Sequence, residues 1–320
     1  MRFNTFWYGR HPLRWVLYPL SLLYCGVVAL RCMYLKKFKQ EHVSVPLIVV
    51  GNLTVGGVGK TPLVIAIAQH FTAQGLQVGL VSRGYGAKIK QFPHEVCAGD
   101  TAYEVGDEPL LLAQKTCIPV VIAPNRMDAV NYLIKHHHVD LIISDDGLQH
   151  YKMSRSIEIV VIDGKRGLGN GLCLPAGPLR ERPGRLKSVD IVVVNGGDWP
   201  GACRFDLVPG AITRLLDHHE APSDWNQSGQ VAAIAGIGHP ERFFDTLTTL
   251  GITYKPYIFP DHHRFVPADL NVPERVRVMT EKDAVKCHAF SDESMYVLPV
   301  QVSIHHEFWD RLETHESLQK

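Results

Sequence analysis

The chain has 320 residues, 46% hydrophobic and 20% charged, with 33 Lys+Arg against 32 Asp+Glu and a formal net charge of +1. That composition is too apolar for a disordered chain, the length allows roughly two domains with full cores, and the balanced charge excludes a broadly basic nucleic-acid coat. The seven cysteines, an odd number without a C-x-x-C pair, fit neither a disulfide framework nor a structural zinc site and point to a reducing compartment.

The charge is unevenly spread. Residues 1–40 hold seven bases (Arg2, Arg10, Arg14, Arg31, Lys36, Lys37 and Lys39) and no acid, leaving 26 bases against all 32 acids in the rest. Between Arg14 and Arg31 runs an uncharged stretch of 16 residues, WVLYPLSLLYCGVVAL (15–30). A helix of that length reaches about 24 Å, short of the roughly 30 Å hydrocarbon core of a bilayer. Trp7, Trp15, Tyr18, Tyr24 and Tyr34 are amphipathic rings of the kind enriched at headgroup depth. No small-residue cleavage site follows, which argues against a signal peptide. Residues 1–40 therefore read as an interfacial or partly inserted helix drawn to anionic lipid, with a true span or a soluble core helix as the alternatives.

Residues 46–51 (PLIVVG) form a β-rich run ending in glycine, and NLTVGGVGKTP (52–62) follows before the helical LVIAIA (63–68). Strand, glycine-rich turn, Gly-Lys-Thr and helix are the context of a P-loop. The loop Thr54, Val55, Gly56, Gly57, Val58, Gly59, Lys60 and Thr61 would cradle the phosphates of ATP with backbone amides, Lys60 would neutralise them, and the Thr61 hydroxyl would hold Mg²⁺. Thr54 stands where the strict pattern has its first glycine.

Short apolar runs recur at 77–82, 119–123, 139–146, 157–163 and 190–195, alternating with helical segments. This pattern predicts a P-loop NTPase-like, doubly wound, mostly parallel α/β sheet, with ligands beyond the strands' carboxyl ends. The acids Asp145 and Asp146 end one such run; adjacent carboxylates there repel unless a cation is near, which suggests a magnesium role. Asp107 and Glu108 open an apolar helix, where spacing alone reads as acids at a helix N-terminus. Past Asn195, glycine and proline punctuate the text, and a second, smaller α/β unit is expected from about residue 228, with strands at 231–238, 257–259, 276–280 and 295–302 and a helix near 240–250. Seventeen histidines occur, several in runs such as 136–138, 218–219 and 305–306, and these read as solvated loop or helix-end residues; by spacing His262-His263 also reads as a polar loop. The expected organisation is thus 1–40 for membrane association, 41–227 for nucleotide binding and catalysis, and 228–320 for the smaller C-terminal unit.

Together these segments resemble the tetraacyldisaccharide 4′-kinases, in nine ordered blocks: VVGNLTVGGVGKTP (49–62), SRGYG (82–86), GDEP (106–109), SDDGLQH (144–150), DGKRGLGNGLCLPAGPLRE (163–181), AGIGHPERFF (235–244), FPDHH (259–263), MTEKDAVK (279–286) and the apolar N-terminal helix. The family's loop also lacks the first P-loop glycine. The resemblance implies ATP- and Mg²⁺-dependent transfer of the γ-phosphoryl group to the 4′-hydroxyl of an acylated glucosamine disaccharide 1-phosphate, giving lipid IVA. Carried over by position, Asp146 and Glu181 would help Thr61 hold Mg²⁺, with Asp145 beside them, while Asp107 and His262 would form an acid–base dyad. Arg180, Arg126 and Gln149 would be charge or orientation groups near the phosphates, and Ser82, Arg83 and Tyr85 substrate contacts. It further implies an acylated lipid substrate and an anionic membrane surface as partners, with neither nucleic acid nor an obligate protein partner, at the cytoplasmic face of a bacterial inner membrane.

Two other classes compete. One is a membrane-associated regulatory P-loop ATPase of the partitioning or metal-insertase type; such loops carry an extra lysine near their start, which residues 54–58 lack. The other is a non-enzymatic nucleotide-binding scaffold.

Overall fold

Residues 3–9, 11–226 and 229–318 are described in the computed structural model; the bases Arg2 and Arg10 and the boundary expected at 227–228 lie outside the described residues. The chain opens with α1 (Phe3–Tyr8), α2 (Leu13–Phe38), β1 (Leu47–Gly51), α3 (Lys60–Ala73), β2 (Val78–Ser82), β3 (His94–Glu95), α4 (Ala102–Val105) and α5 (Asp107–Thr116). There follow β4 (Val120–Ile122), α6 (Arg126–His137), β5 (Leu141–Asp145), β6 (Ile157–Asp163), β7 (Ile191–Asn195), β8 (Cys203–Pro209) and β9 (Thr213–Arg214). The last part comprises β10 (Val231–Ala235), α7 (Pro240–Thr249), β11 (Tyr254–Ile258), β12 (Arg277–Thr280), α8 (Glu281–Cys287), β13 (Met295–Leu298), β14 (Val300–Ile304) and α9 (His306–Glu313).

β1 lies between β5 and β6, parallel to both, in a nine-stranded sheet of order β14-β8-β7-β6-β1-β5-β2-β4-β3. Its residues are buried throughout, because side chains of alternate parity enter two different layers. Ile48 and Val50 pack with Leu63, Ile67 and Phe71 of α3 and Leu112 of α5, whereas Leu47 and Val49 pack with Met127, Val130 and Leu133 of α6. Helices on both faces of a largely parallel sheet are the doubly wound arrangement the sequence predicts. A five-stranded sheet, β11-β10-β12-β13-β9, forms the smaller unit, with Phe243, Phe244 and Leu247 of α7 on one face and Phe265, Ala284 and Cys287 on the other.

The two sheets exchange strands. β9 precedes residue 228 yet pairs antiparallel with β13 in the small sheet, and β14 pairs antiparallel with β8 at the edge of the large one. The run read as one strand over 295–302 is therefore two, parted at Pro299, which has no N–H for a ladder and turns the chain from one sheet to the other. The stretch 196–230, read as punctuated connection, contains β8, whose Cys203 and Phe205 point into the core between Arg204 and Asp206.

α2 is also longer than the apolar run inside it. It extends for 26 residues through the flanking bases, so at about 1.5 Å per residue it measures roughly 39 Å, and by length and composition it could cross a bilayer, which the apolar run by itself is too short to do. Ser21, Cys25 and Leu35 are its buried residues, at helical spacing on one side. Most of its large side chains are open to solvent: Val16 is 71% exposed, Leu23 67%, Leu30 65% and Trp15 61%.

Candidate functional site

The carboxyl ends of β1, β5, β2 and β7 face one end of the small unit across a cleft of about 1470 Å³. Between β1 and α3 the loop 54–59 curls so that Gly59 caps the helix in the left-handed region (φ 91°), which glycine adopts without strain. A side chain there would also strike Asn195: a Cβ would lie 2.3 Å from its Nδ2. That amide donates to Val58 O at 2.8 Å, so the end of β7 holds the loop in shape. On its other side the loop is laced to residues 178–180, through Val55 N to Pro178 O (2.8 Å) and Arg180 N to Leu53 O (2.6 Å).

The same segment is gripped by α2. Ser21 Oγ donates to Cys173 O (2.9 Å) and accepts from Ala176 N (3.0 Å), and Tyr24 OH donates to Arg180 O (3.1 Å). The apolar N-terminal helix is thus two hydrogen-bonded steps from the phosphate loop.

Lys60 Nζ donates to Asn52 Oδ1 (3.1 Å) and lies 3.4 Å from Asp146 Oδ1. Arg180 Nη1 donates to both Asp146 oxygens at 3.1 Å and to Gln149 Oε1 at 3.3 Å. Burial works against ionisation of Asp146, but Lys60 and Arg180 outweigh it and bring the carboxyl down to about 2. Its neighbour Asp145 is buried in full, and burial, reinforced by Glu108, raises its pKa; its Oδ1 has no hydrogen-bond partner.

Glu181 sits behind this pair. Gln149 Nε2 donates to its Oε1 (3.0 Å) and the Tyr151 hydroxyl to its Oε2. Arg126 is buried beside the acids, its Nη1 donating to Ala123 O (3.0 Å) while Nε and Nη2 have no partner; burial lowers its pKa to about 10. His150 is pushed down to about 3 by burial and the charges of Arg126 and Arg83, and is therefore neutral. Ser82 at the end of β2, with Arg83 and Tyr85 on the loop that leaves it, lines the same cleft.

Across the cleft stands the loop after β11. His262 Nδ1 lies 3.0 Å from both Asp107 oxygens, although the two residues are 155 positions apart in sequence. His263 turns away to Asp269 (3.0 Å), so of the two histidines it is the one preferred by resemblance that meets Asp107. Burial opposes ionisation of Asp107, yet the hydrogen bond from His262 and the charges of Lys282 and Lys286 hold it below the usual carboxylate value. The hydrogen bond to Asp107 raises His262 in turn, against burial and Lys282.

Sequence reasoning missed the groups that join the two units here. Lys282 Nζ donates to Glu108 Oε1 (2.9 Å), Arg242 donates to Asn195 O (3.0 Å) and lies 3.3 Å from Asp163, and Gly238 comes so close to the phosphate loop that a Cβ on it would meet Gly57 N at 3.1 Å. Lys282, Arg242 and Gly238 all fall in blocks noted for their resemblance, but nothing in their spacing tells which element they meet. The arrangement can hold a polyphosphate on one wall and place a hydroxyl between it and the His262 ring.

The sequence model of the tetraacyldisaccharide-1-P 4′-kinases matches residues 13–317. A tetraacyldisaccharide 4′-kinase of Legionella pneumophila (strain Lens) is 56% identical over 316 residues, covering 99% of this chain and 98% of the relative. That of Alcanivorax borkumensis is 46% identical over 309 residues, covering 96% and 94%. Among solved structures, LpxK from Aquifex aeolicus, described as an "apo" form in complex with ATP, aligns with a TM-score of 0.78 at 29% identity, covering 96% of this chain and 99% of that one.

Proposed function

Because the chain belongs to the tetraacyldisaccharide-1-P 4′-kinase family, we propose that the cleft between its two sheets is the site at which the family's reaction takes place. The chain is a kinase of lipid A biosynthesis: it transfers the γ-phosphoryl group of ATP to the 4′-hydroxyl of a tetraacyl glucosamine disaccharide 1-phosphate, giving lipid IVA. The family and its relatives give no support to the regulatory ATPase reading.

The observation that carries the assignment of roles is the contact of His262 with Asp107 opposite the phosphate loop. An ionised Asp107 accepts from Nδ1–H, which leaves the Nε2 lone pair free to take the proton of an incoming hydroxyl. As that proton passes to Nε2, the 4′-oxygen bonds to the γ-phosphorus and the bond from phosphorus to the β-γ bridging oxygen breaks, leaving ADP. The amides of 55–59 and Lys60 hold the β- and γ-phosphates in line, and Arg180 and Arg126 stabilise charge that develops on them. The Thr61 hydroxyl and the Asp146 carboxylate are hard oxygen donors suited to Mg²⁺, and the unpaired Asp145 Oδ1 behind them fits a site with a cation to share. Magnesium held by these groups would neutralise phosphate charge. Glu181 would complete its surroundings directly or by orienting Gln149. Ser82, Arg83 and Tyr85 would meet the disaccharide.

An acceptor with four acyl chains stays at a bilayer surface, and the exposed apolar side of α2 gives the kinase a means to meet it there. The use of ATP as donor supports a site on the cytoplasmic face of the inner membrane. The division into a membrane helix (1–40), a nucleotide unit (41–227) and a smaller unit (228–320) follows the same logic, with the strand exchange at its ends.

Incubation of the full chain with γ-labelled ATP and the disaccharide 1-phosphate in detergent micelles tests the reading. Label in the lipid is expected; release of free phosphate alone, or no turnover, would overturn it.

A further inference from the structure

α8 enters the space between the two sheets N-terminus first, started by Thr280, whose hydroxyl oxygen accepts from Asp283 N. Its second residue, Lys282, is largely buried, and three carboxylates from two segments converge on its ammonium group. Nζ lies 2.9 Å from Glu108 Oε1, 3.6 Å from Asp261 Oδ1 and 4.0 Å from Asp107 Oδ2. Glu108 and Asp107 open α5 in the large unit, whereas Asp261 precedes His262 in the small one. One turn along, Lys286 Nζ stands 2.6 Å from Asp283 and 3.9 Å from Asp107. Burying an ammonium is costly unless it is paired, and Lys282 draws its carboxylates from both units.

We propose that Lys282 is a positioning residue of the phosphoryl-transfer site, clamping Asp107 and Glu108 of one unit to the Asp261–His262 loop of the other and setting the field at the His262 ring. The proposal rests on the reading of Asp107 and His262 as the acid–base dyad. Among the described residues, Asp107 from α5, Asp261 from its own loop and Tyr85, whose ring centre lies 5.2 Å away, meet His262; Lys282 of α8 bears on it by its charge, and Glu108 and Lys286 pair in turn with Lys282 and Asp107. Among them the charge of Lys282 opposes protonation of His262, while Asp107 and Asp261 favour it. Lys282 thus has two linked effects: it seats the base against its partner, and it keeps that base free of its proton over a wider range of pH.

The test is the pH dependence of kcat for the full-length enzyme in micelles, with Lys282→Gln, Lys282→Arg and Asp261→Asn. Removal of the cation should move the acidic limb up by about one pH unit, so that kcat falls roughly tenfold on the acid side and much less at high pH. Lys282→Arg should restore the limb, and Asp261→Asn should move it in the opposite direction. A purely structural lysine would lower kcat equally at every pH with the limb in place, and that result would overturn the proposal. Should Lys282→Gln fail to fold, a limb that does not move down in Asp261→Asn would overturn it instead. Full turnover in Asp107→Ala and His262→Ala would sink the dyad reading itself, whereas inactive dyad variants with an unmoved limb in Lys282→Gln would sink only the role of Lys282.

Discussion

The pairing of Asp107 with His262 fixes the sign of the pH response. A raised histidine keeps its proton to higher pH than an ordinary imidazole, and a base must have lost its proton to act. Activity should therefore fall as pH drops through a value above 6.5, while Asp107, lowered, stays ionised throughout. The contribution of the ion pair to stability runs the other way: it is fully present below the ordinary histidine value and is lost as pH rises through the raised one. Asp107→Ala and His262→Ala should each reduce kcat by roughly a hundredfold to ten-thousandfold, with the Kd for ATP nearly unchanged because neither residue belongs to the phosphate loop. Equal losses in turnover and nucleotide affinity, measured by titration calorimetry, would contradict these roles. At this scale the sequence was legible where chemistry is local: Lys60 and Thr61 follow from a strand, a turn and a helix read in order, and the acid pair Asp145–Asp146 from the end of a buried run. His262 and His263 are indistinguishable by spacing, because a partner 155 residues away decides between them.

Among the elements, α2 carries two separable properties. Its buried side holds the 173–180 segment through Ser21 and Tyr24, and that segment in turn holds the phosphate loop. Ser21→Ala would leave the Ala176 amide unpaired in a buried place, a cost of about 1–3 kcal/mol. A thermal melt should show a Tm lower by several degrees, with a rise in KM for ATP as the loop loosens. Its open side is free of such duties. Leu23→Asp with Leu30→Asp should leave the melt and ATP binding intact while moving the protein from the membrane pellet to the supernatant after low-salt lysis; a pellet that keeps the double variant would count against the membrane role. The parallel strands were readable because buried apolar runs of five residues stand out between helical segments, as in β1, β5 and β7. β9, two residues long, has too few positions to show a period, and β8 was hidden by the glycines and prolines around it.

The molecule as a whole works by apposition of two units that the chain crosses between more than once. Contacts at both ends of the cleft bring the small sheet against the large one: Lys282, Asp107 and His262 at one end, Arg242 with Asp163 and Asn195 at the other, and Gly238 over the phosphate loop between them. Gly238→Val would drive a side chain into Gly57 N and Asp261, each about 3 Å from the position of a Cβ, and wedge the units apart. We expect a large fall in kcat with ATP affinity reduced far less, read by steady-state kinetics beside calorimetry; unchanged kcat would show that close approach at this point is not needed. The sequence could not reveal this layout, since an eye that follows the chain divides it near 228, whereas β9 and β14 each belong to the sheet on the other side of that line. The return of β14 to β8 has a consequence for biosynthesis. On the ribosome, the edge of the large sheet must wait for nearly the whole chain, because its last strand ends at Ile304 of 320 residues. At about 5–20 residues per second, β8 stands uncovered for several seconds after it emerges. For that interval the nascent kinase offers an open strand edge to any neighbouring chain.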